Sequence, residues 1–196
     1  MKREADTFGT RTAFCQTLAK AWCEAAGDRL LPRRSQLTPR MLKDVLNSLF
    51  ILEYLSPETI RFRLVGGRLT ELLGGVQLTG QNNIDLVPPA QRPVRIARYL
   101  ACANFPCGMH FAQPATLTTG LQVRIEHLIL PILPDEAGDP LQFVGAAEEL
   151  DAVEVWPGVS LADQQRTYRR VVDHVRFVDI GAGIPEQDPG LALMPA

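Results

Sequence analysis

The chain has 196 residues, 46% of them hydrophobic and 21% charged, and its formal net charge is -2. A typical domain takes about 150 residues, so this length predicts one domain with extensions, and the composition excludes wholesale disorder. Near-balanced charge and an aromatic share of 7% leave no electrostatic footprint for nucleic acid or an anionic membrane, and no platform for stacking single strands.

The N-terminus, Met1–Phe14, is charged and has no apolar run behind it, which argues against a secretory leader. No stretch approaches the roughly 20 apolar residues that cross a bilayer. The expectation is a soluble, cytoplasmic protein. Charge is nonetheless uneven. Residues 1–40 carry eight bases and four acids, whereas residues 131–160 carry seven acids and no base. The acidic stretch reads as a solvated loop and strand end. The alternative is a contact with a basic partner or with the chain's own basic N-terminal segment.

Residues 11–26 have helical spacing, with Phe14, Leu18, Trp22 and Ala25 on one face and Gly27 as the stop. This face is expected to pack on a sheet or on a second subunit. Leu31-Pro32-Arg33-Arg34 is a connector. Thr38-Pro39 predicts a helix start, with Thr as N-cap and Pro in the first turn, and the helix is expected to run over 39–47.

Two strands follow. Leu49–Leu55 is apolar apart from Glu53. Thr59–Val65 alternates, with Ile60, Phe62 and Leu64 on one face and Arg61 and Arg63 on the other. Ser56-Pro57-Glu58 between them is turn chemistry, so the pair reads as a hairpin. After Gly66-Gly67 comes a short helix burying Leu69, Leu72 and Leu73, then a turn near Asn82–Val87. A longer helix opens at Pro88-Pro89 and reaches about Ala103, carrying Arg92, Arg95 and Arg98. Three further strands are predicted over Met109–Thr118, Leu121–Leu133 and Leu141–Leu150. Residues 161–180 form one more element, and Gly183–Ala196 is expected to be loose. Helices and strands in this order predict an α+β fold with an antiparallel sheet. The expected organisation is a helical extension over 1–47, a core domain over 48–150 and a C-terminal extension over 151–196.

Catalytic signatures are sparse. Neither Gly66-Gly67 nor Gly74-Gly75 fits a phosphate-binding loop. Cys15, Cys23, Cys102 and Cys107 lack metal-site spacing and read as reduced, packed thiols, so no metal is expected. His110 and His127 fall on strands, where either, or Glu53, could serve as a general base in a small enzyme. Glu126 and His127 cannot share a pocket, because adjacent strand residues face opposite ways. The steps of three between Arg92, Arg95 and Arg98 read as a solvated face, with a phosphate contact as the alternative. Phe62, Leu69, Leu72, Leu73 and Ile125 sit at core spacing, and in a small sheet they could line a ligand cavity.

Several of these residues also recur in a known order. Phe62-Arg63-Leu64-Val65-Gly66 ends a strand, Leu73-Gly74 ends a short helix, and Leu78-Thr79-Gly80 follows. Later come Glu126-His127-Leu128-Ile129-Leu130-Pro131-Ile132 and Val144-Gly145-Ala146. With Trp22 and Leu31-Pro32-Arg33 upstream, this order resembles a PAS-like family of small alphaproteobacterial proteins, over about residues 20–150. The chain departs from the family pattern at Gly67, where Thr is frequent, and at Leu73-Gly74, where Phe-Gly is usual. The resemblance implies a five-stranded antiparallel sheet with short helices on one face. It also implies a stand-alone sensory or regulatory module, not an enzyme, acting through a small ligand, a protein contact or both. Phe62, Arg63, Gly66, Leu69, Leu73 and Ile125 would form the ligand site, with Arg63 and Gly66 at its mouth. Phe14, Leu18 and Trp22 would form the interface of a homodimer or of a contact with a signalling protein. Flavin is not expected, because the Asn-Cys-Arg motif is missing, and haem is not expected, because the helix near 88–104 has no His. The ligand itself is not implied.

Overall fold

The computed structural model describes residues 4–72, 75–116, 122–152 and 175–193. The chain builds helix α1 (Ala13–Ala26), a one-turn helix α2 (Pro39–Leu42), strands β1 (Leu49–Ser56) and β2 (Thr59–Val65), and a short helix α3 (Gly67–Leu72). Helix α4 (Arg92–Asn104) and strands β3 (Gly108–Thr116), β4 (Gln122–Ile132), β5 (Gln142–Ala152) and β6 (Arg176–Val178) complete it. The strands form one antiparallel sheet in the order β2-β1-β5-β4-β3-β6.

The first five strands are those expected from the alternation of side chains. The sixth corrects the five-stranded expectation. Arg176–Val178 pairs with Gly108–His110 at the β3 edge, and a strand of three residues is too short to show a period of two. The part of the 161–180 element before residue 175 lies outside the described residues. The helix expected over 39–47 is also corrected. Thr38 Oγ accepts from the Met41 N–H as an N-cap, and Pro39 starts the helix, but it stops at Leu42 and the chain turns through Leu46–Ser48 into β1. The apolar side chains Leu42 and Val45 are both buried, so this segment satisfies its hydrophobic pattern without a continuous helix.

Period-two alternation gives the sheet two apolar faces, and helices cover both. Leu49, Leu128, Leu130, Val144 and Ala146 face α1, which contributes Cys15, Leu18, Ala19 and Trp22. Phe50, Leu52, Ile60, Phe62, Ile125 and Phe143 face the other way, toward Leu69 of α3 and Tyr99 and Cys102 of α4. The domain therefore has three layers, one more than a sheet with helices on a single face. Gly145 lies opposite Phe50 across the β1–β5 pair, and the Phe50 ring occupies the space a side chain would need there. Gly66, where β2 ends, abuts the backbone of Leu46 and Asn47 and leaves no room for a Cβ.

The basic and acidic segments meet where the connector passes the end of β4 and again at the start of α1. Asp135 accepts from the Ser35 N–H at 2.9 Å and pairs with Arg34 at 2.9 Å. The adjoining connector runs beside the end of β4, where Leu133 N–H donates to Pro32 O and Arg34 N–H donates to Leu133 O, both at 2.9 Å. Residues 175–193 lie against the domain. β6 extends the sheet, and Asp188 forms an ion pair with Arg98 of α4 at 2.7 Å.

Candidate functional site

The alternation of β4 sends two neighbouring polar residues to opposite faces of the sheet, and each becomes the centre of a buried polar cluster. Glu126 faces α1. Its carboxylate is 1% exposed and accepts four hydrogen bonds. The donors are Arg11 N–H at 2.8 Å, Thr12 N–H at 2.7 Å, Thr12 Oγ at 2.6 Å and His110 Nε2 at 2.7 Å. Glu148 of β5 accepts from the Phe14 N–H at 2.8 Å. Thr12 occupies the N-cap position of α1 yet makes no side-chain cap bond. The first-turn N–H groups of a helix need acceptors, and negative charge is favoured beside them. Here two strand carboxylates supply what a local cap would. Burial pushes the Glu126 carboxyl up, but the hydrogen bonds from His110, Thr12 and Arg11 outweigh it and hold it down at about 2. Close by, burial pushes the Cys15 thiol up to about 12, which leaves it a packed, unreactive group.

His127 faces the α3–α4 layer. Phe111 is its direct partner across the β3–β4 ladder, and the two rings stack with centroids 4.9 Å apart and planes 12° apart. The imidazole is 9% exposed and its Nε2 has no hydrogen-bond partner. Burial, followed by the positive charge of Arg95, drives its pKa down to about 3, so the ring is neutral near pH 7. In the same layer α4 carries Tyr99, whose ring meets Phe143 edge-on at 5.5 Å. Burial raises the Tyr99 pKa, and the charge of Arg95 opposes that rise. Arg95 Nη1 donates to Asn83 O at 2.9 Å and to Asn83 Oδ1 at 3.3 Å, and burial lowers its pKa.

The expected solvated face of α4 is thereby corrected. Arg92 pairs with the exposed Asp85 at 3.2 Å, Arg98 is 9% exposed and pairs with Asp188, and Arg95 reaches inward to Asn83. A step of three residues turns a helix by about 300°, so successive arginines drift around it and reach different neighbours. The sequence showed the spacing but not what lay opposite each side chain.

The candidate residues separate in the same way. Phe62, Leu69 and Ile125 share the buried layer below α3 and α4. Arg63 does not join them. It extends from the other face of β2 and, with Arg61, pairs with Glu53, at 2.5 Å for Arg63 and 2.7 Å for Arg61. Burial raises the Glu53 carboxyl, but these two partners outweigh it and hold it below its ordinary value. Gly66 sits where β2 gives way to α3, against Leu46 and Asn47. Leu73 lies outside the described residues. Leu18 and Trp22 are fully buried against the sheet of their own chain, and Trp22 Nε1 donates to Pro131 O at 2.9 Å. Phe14 is half-buried, with the Arg68 guanidinium 5.3 Å from its ring centre. His110 and His127 stand on adjacent strands but on opposite faces, and Glu53 touches neither. Sequence reading missed Arg95, Asn83 and Tyr99 as partners of this layer. Only the arginine spacing hinted at the first of them.

Cys102 and Cys107 are buried free thiols that share a hydrogen bond, with their sulfurs 3.6 Å apart. Among the described residues no group of three His, Cys, Asp or Glu side chains is placed to hold a metal ion, and no helix is long and apolar enough to cross a membrane.

Both buried polar centres make stability sensitive to acid. The folded chain holds His127 neutral down to about pH 3, whereas an unfolded histidine protonates near 6.5. Below pH 6.5 the unfolded state therefore binds the extra proton, and stability falls as the pH falls. The slope approaches about 1.4 kcal/mol per pH unit. Glu126 is ionised in the fold down to about 2 against 4.5 ordinarily, so its contribution is full above 4.5 and is lost below it. Between pH 4.5 and 6.5 the His127 effect stands alone of the two. Urea titrations across that window should show the slope in the wild type and a flatter profile in His127→Phe. Equal slopes in the two proteins would refute this assignment.

A family model described as a PAS domain matches residues 11–148. No curated protein matches the chain. Among solved structures, the light-state structure of the blue-light photoreceptor Aureochrome1 LOV is similar at a TM-score of 0.40 and 14% identity, covering 57% of this chain and 88% of that one. An RNA-binding Light-Oxygen-Voltage receptor is similar at a TM-score of 0.41 and 16% identity, covering 59% of this chain and 33% of that one. The family match spans α1, the first five strands of the antiparallel sheet up to Glu148 and the helices on both its faces, and on that basis the chain belongs to the PAS domain family.

Proposed function

We propose that this protein is a sensory or regulatory module that takes a small ligand between its sheet and the α3–α4 layer and signals by contact with a protein partner in the cytoplasm. One observation carries the reading: His127 holds an unpartnered ring nitrogen inside an apolar layer. A buried polar atom without a partner costs about 1–3 kcal/mol, and a ligand atom placed against it would remove that cost. Phe62, Leu69 and Ile125 supply apolar lining, with Gly66 toward the α3 edge. Arg63, which pairs with Glu53 from the other face of β2, is left out of this reading of the site.

The output is assigned to α1. It is held to the sheet through Leu18 and Trp22 and through the two carboxylates at its first turn, so a ligand that changed the packing of β4 would change both attachments. A ligand acts by favouring one of two packings already within reach, to the extent of its differential affinity. The outward strip of α1, Gln16, Lys20 and Glu24, is polar. A homodimer or partner contact is therefore assigned to this strip and the neighbouring Phe14, not to Leu18 or Trp22.

Native mass spectrometry of protein purified directly from cells, set against the denatured mass, tests the ligand. Additional mass that disappears on denaturation is the expected result. Bare protein, with no thermal shift from any compound in a small-metabolite panel, would overturn the reading.

A further inference from the structure

The four cysteines divide between the two faces of the sheet. Cys15 and Cys23 lie with α1 on one face, and Cys102 and Cys107 lie in the apolar layer on the other. The second pair meets, with sulfurs 3.6 Å apart and a shared hydrogen bond. Cys15 turns instead to a backbone carbonyl, that of Ala146, at 3.7 Å. Cys102 stands in the last turn of α4 and Cys107 immediately precedes β3, so a single tight turn holds the two thiols together. Both ends of that turn are fixed. Tyr99, one helical turn before Cys102, packs on Phe143, and Gly108 abuts Leu130 so closely that a Cβ would collide with it. Cys102 is 1% exposed and Cys107 is 0% exposed, but the turn that links them faces water, with Phe105 at 55%. A surface turn opens locally at lower cost than the helix and strand it joins.

We propose that Cys102 and Cys107 form a redox site that a hydroperoxide oxidises to a disulfide, fastening the end of α4 to the start of β3. This goes beyond the ligand reading and does not depend on it. A disulfide is about 2.05 Å long, so the sulfurs have to approach by about 1.5 Å from their 3.6 Å separation. Cys107 is the attacking sulfur. The hydrogen bond it shares with Cys102 holds its thiol below the ordinary value, and the same bond, together with burial, raises Cys102 well above it. The thiolate is the nucleophile. Cys107 sulfur attacks one peroxide oxygen, the O–O bond breaks, and the departing oxygen takes the Cys107 proton and leaves as water. Cys107 is then a sulfenic acid. Cys102 sulfur attacks it, the S–S bond forms, the S–O bond breaks, and the hydroxyl leaves as a second water with the Cys102 proton. Two thiols lose two electrons and the peroxide gains them. Burial selects the oxidant, because a small peroxide passes a briefly opened turn and a bulky disulfide does not. The start of β3 is held by Leu130 and by its pairing with β6, so closing the bond draws on α4 and on Tyr99 with it.

The test treats the full chain with hydrogen peroxide, alkylates the remaining thiols in denaturant and maps tryptic peptides without reduction. Cleavage after Arg98 and Arg124 puts both cysteines on the peptide 99–124, whereas Cys15 and Cys23 fall on 12–20 and 21–29. The expected result is a 99–124 peptide that has lost two hydrogens and takes up no alkylating agent, with both thiols restored by dithiothreitol. Oxidised glutathione should produce the same link at least tenfold more slowly. In Cys102→Ser, Cys107 should stop at the sulfenic acid and be trapped by dimedone, and in Cys107→Ser, Cys102 should not be trapped. If a variant fails to fold, the wild-type map still decides. Hydrogen exchange supplies a readout of the fastening: amides from Tyr99 to Asn104 should exchange more slowly in the oxidised protein. A link to Cys15 or Cys23, sulfinic acid on Cys107 with no link, or oxidation only in urea would overturn the site. Faster reaction with oxidised glutathione would overturn the hydroperoxide as oxidant, and unchanged exchange along α4 would overturn the fastening.

Discussion

Replacing Glu126 with Ala should destabilise the protein by about 3–5 kcal/mol, the range found when one partner of a buried, hydrogen-bonded charge cluster is removed. The mechanism is local. Four donors, two of them backbone N–H groups just before α1, converge on this carboxylate, which is 1% exposed. Without it they face a space that water reaches poorly, and each unsatisfied donor costs on the order of 1–3 kcal/mol. Glu126→Gln keeps the shape and one acceptor oxygen, and should lose roughly half as much. Glu148→Ala removes a single cap bond, from Phe14 N–H, and should cost about 1 kcal/mol. Chemical denaturation at pH 7 gives the ranking. Hydrogen exchange gives the location, since the amides of α1 should lose protection in Glu126→Ala before those of β1 and β2. A loss below about 1 kcal/mol for Glu126→Ala, or uniform loss of protection, would show that α1 is held by its apolar face alone.

Trp22→Ala should cost about 3–5 kcal/mol, as for other fully buried large-to-small aromatic changes. Trp22 is 0% exposed, meets Phe8 edge-on at 6.2 Å and donates Nε1 to Pro131 O at 2.9 Å. That last bond has a reason in the sheet. The β3 ladder along β4 ends at Ile129, so at Pro131 the paired strand is β5, and the connector joins the chain only at Leu133. Proline brings no N–H to a ladder and is tolerated where a strand has a free side. The carbonyl on that side still needs a donor, and the indole of α1 provides it. Trp22→Phe should therefore lose less than Trp22→Ala while still exposing the cost of an unpaired Pro131 carbonyl. The readout is the denaturation midpoint. If the variants stay folded but change oligomeric mass, Trp22 belongs to a subunit interface and the intramolecular account fails.

These two sites also show why part of the design was readable and part was not. The helical spacing of Leu18 and Trp22 and the stop at Gly27, whose backbone has φ +55°, are local signals. So is the alternation of Thr59–Val65 and the N-cap at Thr38. What the cap of α1 would be was not local: its acceptors lie 114 to 134 residues away in β4 and β5. Pattern reading correctly separated Glu126 from His127, because the pleat sends neighbours to opposite faces. It did not assign a role to either, because a role depends on what stands across the layer.

By itself the sequence determined the α+β class, helices α1 and α4, the hairpin of β1 and β2 and the strand pattern of β3, β4 and β5, since each of these rests on periodicity or turn chemistry, and its ordered motifs carried the resemblance to the PAS family. The tertiary structure alone decided the second helical layer on the sheet, the sixth strand, the division of the three α4 arginines among Asp85, Asn83 and Asp188, and the isolation of His127 beside Phe111. Those outcomes depend on desolvation and on charges brought together from distant parts of the chain. Neither quantity exists until the chain has folded.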